Sequence, residues 1–255
     1  MTTFLAVLRR RLRLDLVRYP LESIAQIVLY YVLFLVLFLG ARAVGGSSVV
    51  RGNTVSSIVV GYIVFMILQQ CLSAIYGGIR EESTTGTLEQ LAMADFGLLV
   101  ILAMDFAVGA ISSIVQMSVT LVPIMATTGR WLHFDAVSVA VLLVPTVAGV
   151  FGLGLAMGGL GLVFKRVAGI AGFVAMGFLA LVAAPVDRVP ILKLLPVSHG
   201  NALLRDALVD GQAALARPLE LATLLCVSAA YLVGGAFVFR RMDRIARNRG
   251  LLGQY

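Results

Sequence analysis

The sequence predicts an all-α membrane protein: six transmembrane helices, an N-terminal amphipathic interfacial helix, and both termini in the cytoplasm. Three observations predict it. The 255 residues are 60% hydrophobic and 13% charged, with a mean hydropathy of +1.00, against roughly 45–50% apolar and about 25% charged in soluble domains. Six apolar stretches reach the length of about 20 residues needed to cross about 30 Å of hydrocarbon. The basic residues are distributed unevenly between alternate connections, as the positive-inside rule requires.

The elements follow in order within a single transmembrane domain, residues 1–255. Residues 1–19 are amphipathic: Phe4, Leu5, Leu8, Leu12 and Leu16 recur near helical spacing, while Arg9, Arg10, Arg13 and Asp15 fall elsewhere on the wheel. A basic amphipathic helix along the inner headgroups fits this pattern; a frayed basic tail is the plainer reading. Asp15 and Arg18 precede an apolar run long enough to span, so the N-terminus does not read as a cleavable signal peptide. Spans are expected at 21–41, 55–79, 98–128, 136–164, 167–186 and 219–239. Lys165 and Arg166 mark a tight charged turn between the fourth and fifth. With both ends inside, the inner segments hold thirteen Arg and Lys and the outer ones seven. The connection 187–218 is expected to hold an external amphipathic helix, with Ser198 as N-cap, Gly211 as stop, and Leu204, Ala207 and Leu208 on one face. The tail after 239 reads as an interfacial anchor or a solvated basic end. Gly154 and Gly158, and Ala168 and Gly172, are small pairs four apart. They suit close helix packing within the chain or at a subunit interface.

Composition also excludes functions. The net charge of +7 points to cytoplasmic flanks and anionic lipid headgroups rather than to nucleic acid. Cys71 and Cys226 lie in apolar runs and read as buried small side chains, with no spacing for a disulfide. The only histidines, His133 and His199, have no partner at metal-ligand spacing, and a Gly-x-Ser-x-Gly elbow is absent, so no metal site and no catalysis are expected. Neither lysine follows a glycine, so there is no P-loop, and no cofactor is expected on this chain. Secondary transporters place ionisable groups in their spans. Here the single candidate is Asp105, and 106–128 would still suffice to cross if the water boundary fell at that residue.

Residues 80–97, "REESTTGTLEQLAMADFG", break the apolar pattern and hold four of the thirteen acidic residues. Thr87 can cap a short helix, about 88–95, with Gln90 completing a capping box; Gly86 supplies the turn and Gly97 the stop. Leu88, Leu91 and Ala92 share one face at i, i+3, i+4. Such a helix suits a groove in a partner protein, or its apolar face rests on the bilayer.

The string Arg80-Glu81-Glu82, then Gly86-Thr87-Leu88-Glu89-Gln90-Leu91, between a second and a third span, resembles the cytoplasmic loop of type-2 ABC transporter permeases. These are the membrane subunits of bacterial drug, antibiotic, lipid and polysaccharide exporters. The layout is also similar, and "LPVSHGNALLRDAL" resembles that family's external insertion. The resemblance implies a coupling helix seated on a separate ATPase, assigning Glu81, Glu82, Gly86, Thr87, Leu88, Glu89, Gln90, Leu91 and Ala92 to the coupling region. It implies two ATPase copies carrying ATP and Mg, and a second permease, identical or paralogous. It places the chain in the bacterial plasma membrane, surrounded by lipid. The translocation path would then be lined by the first, second and fifth spans, where Tyr30, Tyr31, Gln69 and Gln70 are the polar or aromatic candidates; helix packing would explain the same residues. The sequence departs from the family at Ala94-Asp95-Phe96, where many members have Pro, and at Met104-Asp105, where many have Gly-Lys. An ATP-independent channel or secondary carrier is the alternative reading.

Overall fold

The computed structural model describes residues 20–50, 54–85, 97–163, 168–184, 186 and 189–248. The predicted amphipathic helix 1–19, the Lys165-Arg166 turn and the short helix at 88–95 lie outside the described residues. All regular structure among the described residues is helical. The helices are α1 (Pro20–Val50), α2 (Thr54–Thr85), α3 (Gly97–Thr128), α4 (Ala136–Val163), α5 (Ala168–Ala183), α6 (Pro196–Val209) and α7 (Pro218–Asn248), with short 3₁₀ turns at Pro190–Leu194 and Ala214–Ala216.

Five of these are long and apolar enough to cross a membrane: α1, α2, α3, α4 and α7. The fifth predicted span, 167–186, is a helix of 16 residues, about 24 Å long, and so shorter than the other five. One further bound differs. α2 does not stop at 79 but runs through Arg80, Glu81 and Glu82 to Thr85, because these residues tolerate helix and no breaker occurs before Gly86. Gly97 is the first residue of α3, and the short helix that it was expected to stop lies outside the described residues. α7 continues to Asn248, and Ala246 is buried in a cluster with Leu102, Leu155, Leu162 and Phe239.

The most extensive helix–helix interface joins α4 and α7. In lipid, helices gain nothing from hiding apolar surface, so close backbone approach carries the association. A Cβ at Gly152 would strike the backbone of Tyr231 and Leu232, and one at Gly235 would strike the backbone of Gly152. Gly159 faces Phe239 in the same way. The small residues that bring α7 onto α4 are therefore Gly152 and Gly159, seven apart. Gly154, one of the predicted small residues, packs closely on the Ile75 side chain of α2, and Gly172 has nothing within 4 Å of a Cβ position.

Asp135 caps α4. Its carboxylate accepts from the backbone N–H of Val137 at 3.2 Å and of Ser138 at 3.3 Å, and from the Ser138 hydroxyl. Ser138 Oγ in turn accepts from the Ala214 N–H at 3.0 Å, tying the start of α4 to the turn before α7.

Gly152→Ala should lower the Tm of the purified protein in detergent, by the equivalent of roughly 1–3 kcal/mol of overpacking. Gly177→Ala, where a Cβ meets nothing within 4 Å, should be neutral or raise stability by up to about 1 kcal/mol of helix propensity. The Ser138 hydroxyl, aided by two backbone N–H groups, holds the Asp135 carboxyl below the usual carboxylate range. A lowered folded-state pKa stabilises above the unfolded value and loses that contribution as pH falls through the folded one. The Tm difference between wild type and Asp135→Asn should therefore be full at neutral pH and shrink below about pH 4; a constant difference across a pH series would contradict the capping role.

Candidate functional site

The apolar spans carry one concentration of polar side chains, where α1, α2 and α3 meet. Gln26 and Tyr30 lie one turn apart on α1. Gln69, Gln70 and Ser73 come from α2, and Gly109, Ser112 and Gln116 recur at i, i+3, i+7 on α3; together with Ser23, Met66 and Ala74 they line a cleft of about 570 Å³. Helical spacing alone stacks these residues on one face of each helix. A Cβ at Gly109 would lie 2.8 Å from that of Ala74, so glycine there lets α3 approach α2 beside the cleft.

A hydrogen-bonded chain crosses the three helices. Gln70 Nε2 donates to Tyr30 Oη at 2.7 Å and to Gln116 Oε1 at 3.3 Å. Gln116 Nε2 donates to Gln26 Oε1 at 3.2 Å. Tyr62 Oη donates to the Tyr30 carbonyl at 2.6 Å, and its ring meets Phe34 edge-on at 5.4 Å. These contacts fix α1 on α2 and α3, because buried amides away from water hold whatever partner satisfies them.

Of the four residues named from the sequence, Tyr30, Gln69 and Gln70 line this cleft. Tyr31 instead packs on the apolar cluster of Phe34, Val55, Val59 and Leu121. Sequence reasoning missed Gln26, Ser112 and Gln116. Their signal was present as polar residues at helical spacing inside apolar runs, but it gains meaning only when three helices converge. The cleft does not involve α5. A second, mostly apolar cleft of about 650 Å³ lies among α1, α2, α5 and α6, lined by Leu33, Val36, Phe65, Leu179 and others, with Asn201 and Arg205 at its polar part. Asp105 lies on α3 one turn before Gly109, half-buried and outside the lining of the polar cleft.

The helix in the insertion before α7 is buried against its neighbours over most of its length. Pro196 opens α6, where its missing N–H costs nothing, and no side chain caps the helix. Ser198, the expected N-cap, lies inside α6 and donates to the Leu181 carbonyl at 2.9 Å. Asn201 Nδ2 donates to the Val182 carbonyl at 2.9 Å. Both acceptors belong to the last turn of α5, whose terminal carbonyls have no intrahelical donor. Two side chains of α6 thus complete the end of α5. A Cβ at Gly149 would meet Pro196, and one at Gly200 would meet Thr146, so α6 presses directly on α4. The predicted face of Leu204, Ala207 and Leu208 is buried, and Gly211, at φ +67°, follows the end of the helix as expected.

His199 is buried. Its Nε2 lies 3.0 Å from both the Glu220 carbonyl and Thr223 Oγ1, and the Glu220 carboxylate accepts from Lys193 at 2.6 Å. This ties the 3₁₀ turn and α6 to the start of α7. No group of three metal-ligating side chains occurs among the described residues. Cys71 is buried and Cys226 lies on an exposed face, and neither is in a disulfide.

Of the residues expected to couple to a partner, Glu81 and Glu82 fall on the last turns of α2. Gly86, Thr87, Leu88, Glu89, Gln90, Leu91 and Ala92 lie outside the described residues.

All-helical structure with five helices of spanning length and apolarity defines the class: a multi-pass helical membrane protein. No family model, no curated protein and no solved structure matches the chain.

Ser198→Ala combined with Asn201→Ala should lower Tm by the equivalent of about 1–3 kcal/mol, the cost of leaving buried carbonyls without donors. Hydrogen exchange should show the loss of protection concentrated in the last turn of α5 rather than in α4.

Proposed function

We propose that this chain is the permease subunit of an ATP-binding cassette exporter. It forms half of a translocation path in a bacterial plasma membrane and draws energy from a separate ATPase. The observation that carries the reading is the placement of Gly86-Thr87-Leu88-Glu89-Gln90-Leu91. It occupies the short connection between Thr85 and Gly97, which end and begin two helices of spanning length. Glu81 and Glu82 precede it on the last turns of α2. α2 has 32 residues, about 48 Å, so its end projects beyond a hydrocarbon core of about 30 Å and would carry the motif toward a soluble partner. The helical insertion before the last span supports the same reading. α5, shorter than the rest, serves as the sixth span, and both termini lie on the side of residues 86–96.

In this reading the chain is not catalytic. Two ATPase copies bind ATP and Mg, and two permeases, identical or paralogous, pair to enclose the path. Closure of the ATPases pushes on the segment around Leu88 and Leu91 and rocks the spans between two states. The cleft among α1, α2, α5 and α6 is where that path would run.

The ATPase encoded with this chain should co-purify with it. Leu88→Asp with Leu91→Asp should abolish co-purification and ATP-dependent export while the permease stays folded by Tm. Unchanged co-purification and export in that variant would favour a channel or carrier that needs no ATPase.

A further inference from the structure

Two polar atoms in the cleft of α1, α2 and α3 take no part in holding the helices together. Gln69 Oε1 and Ser112 Oγ are buried and have no hydrogen-bond partner among the described residues, although both residues line the cleft. Ser112 as a whole is only 9% exposed. A buried polar atom without a partner costs about 1–3 kcal/mol, and native interiors keep few of them. The chain-crossing bonds of Gln26, Gln70 and Gln116 account for the other amides. The two remaining atoms therefore offer a free acceptor and a hydroxyl that can donate or accept, on two residues that line one cleft of about 570 Å³, within the size range of small-molecule sites.

We propose that this cleft binds the uncharged, hydroxyl- or amide-bearing head of an amphipathic molecule that enters from the adjoining leaflet. The chemistry excludes the charged classes. None of the eleven lining residues carries a formal charge, so an ionic head would lose its hydration without a counter-charge. An anion would also face the carbonyl oxygen of Gln69, and a quaternary ammonium has no hydrogen to give it. A neutral hydroxyl or amide donates to Gln69 Oε1 and exchanges a second bond with Ser112. The position supports an amphipath. Ser23 and Gln26 belong to the first turns of the apolar stretch of α1, and Gln69 to Ser73 lie near the end of that of α2. The site is thus in the half of the bundle nearer Thr85 and Gly97. Farther along the same face of α1, the exposed Leu33 and Leu37 offer an apolar track for the tail. This site goes beyond the permease reading and needs no ATPase.

Full-length protein in phosphatidylcholine nanodiscs is titrated with tritiated monododecanoylglycerol, with dodecanoate and dodecyltrimethylammonium, of matching tail, as competitors. Saturable binding near one per chain is expected, with at least tenfold weaker competition by either charged head. Ser112→Ala and Gln69→Met should each weaken binding about tenfold while leaving Tm unchanged or raised, because each removes an atom with no partner among the described residues. Gln116→Leu should lower both. No saturable binding, equal competition by the charged heads, or wild-type binding in both Ser112→Ala and Gln69→Met would overturn the proposal. None of these results bears on ATPase co-purification, so the two readings fail separately.

Discussion

The bundle depends on how closely α4 can approach its neighbours. Surrounded by lipid tails, its apolar surface gives no reason to prefer one helix over another, so contact distance decides. Gly152 brings α7 to backbone contact at Tyr231 and Gly235, and Gly159 continues that contact at Phe239. Other faces of the same helix accept α6, at Thr146 and Gly149, and α2, at Gly154. Large side chains at these points would push three elements away at once. α4 is therefore the post against which the insertion and the last span are both set.

The insertion follows from that arrangement. A short helix buried among others has to find partners for most of the polar groups that it buries. α6 uses Ser198 and Asn201 to complete the last turn of α5, and His199 to engage the start of α7. The polar residues of "LPVSHGN" are thus turned inward. Their job is to join helix ends, and this explains how a segment with so many polar groups can be so deeply buried.

The polar cleft obeys a different rule. Gln70 and Gln116 bond across helices and fix α1, which otherwise presents mostly apolar, exposed side chains. Gln69 and Ser112 share the cleft but hold nothing. Adjacent residues on one helix, Gln69 and Gln70, thus serve unlike ends, one turned to a possible visitor and the other to the bundle itself.

By itself the sequence determined the helical class, the main spans and the stop at Gly211, because length, apolarity and glycine conformation are local properties. α3 and α4 match the expected 98–128 and 136–164 to within one residue. It also marked Tyr30, Gln69 and Gln70 as unusual, since amides and a phenol inside apolar runs need partners. Only the tertiary structure decided what those partners are. Gln26 and Gln116 stand 90 residues apart, and no spacing rule links them. The same holds for Ser198, which looked like a cap for its own helix and instead caps another. Gly152 and Gly159 likewise count only because Tyr231, Gly235 and Phe239 lie against them. Such contacts depend on which faces of separate helices meet, and that choice is made by packing across the whole bundle.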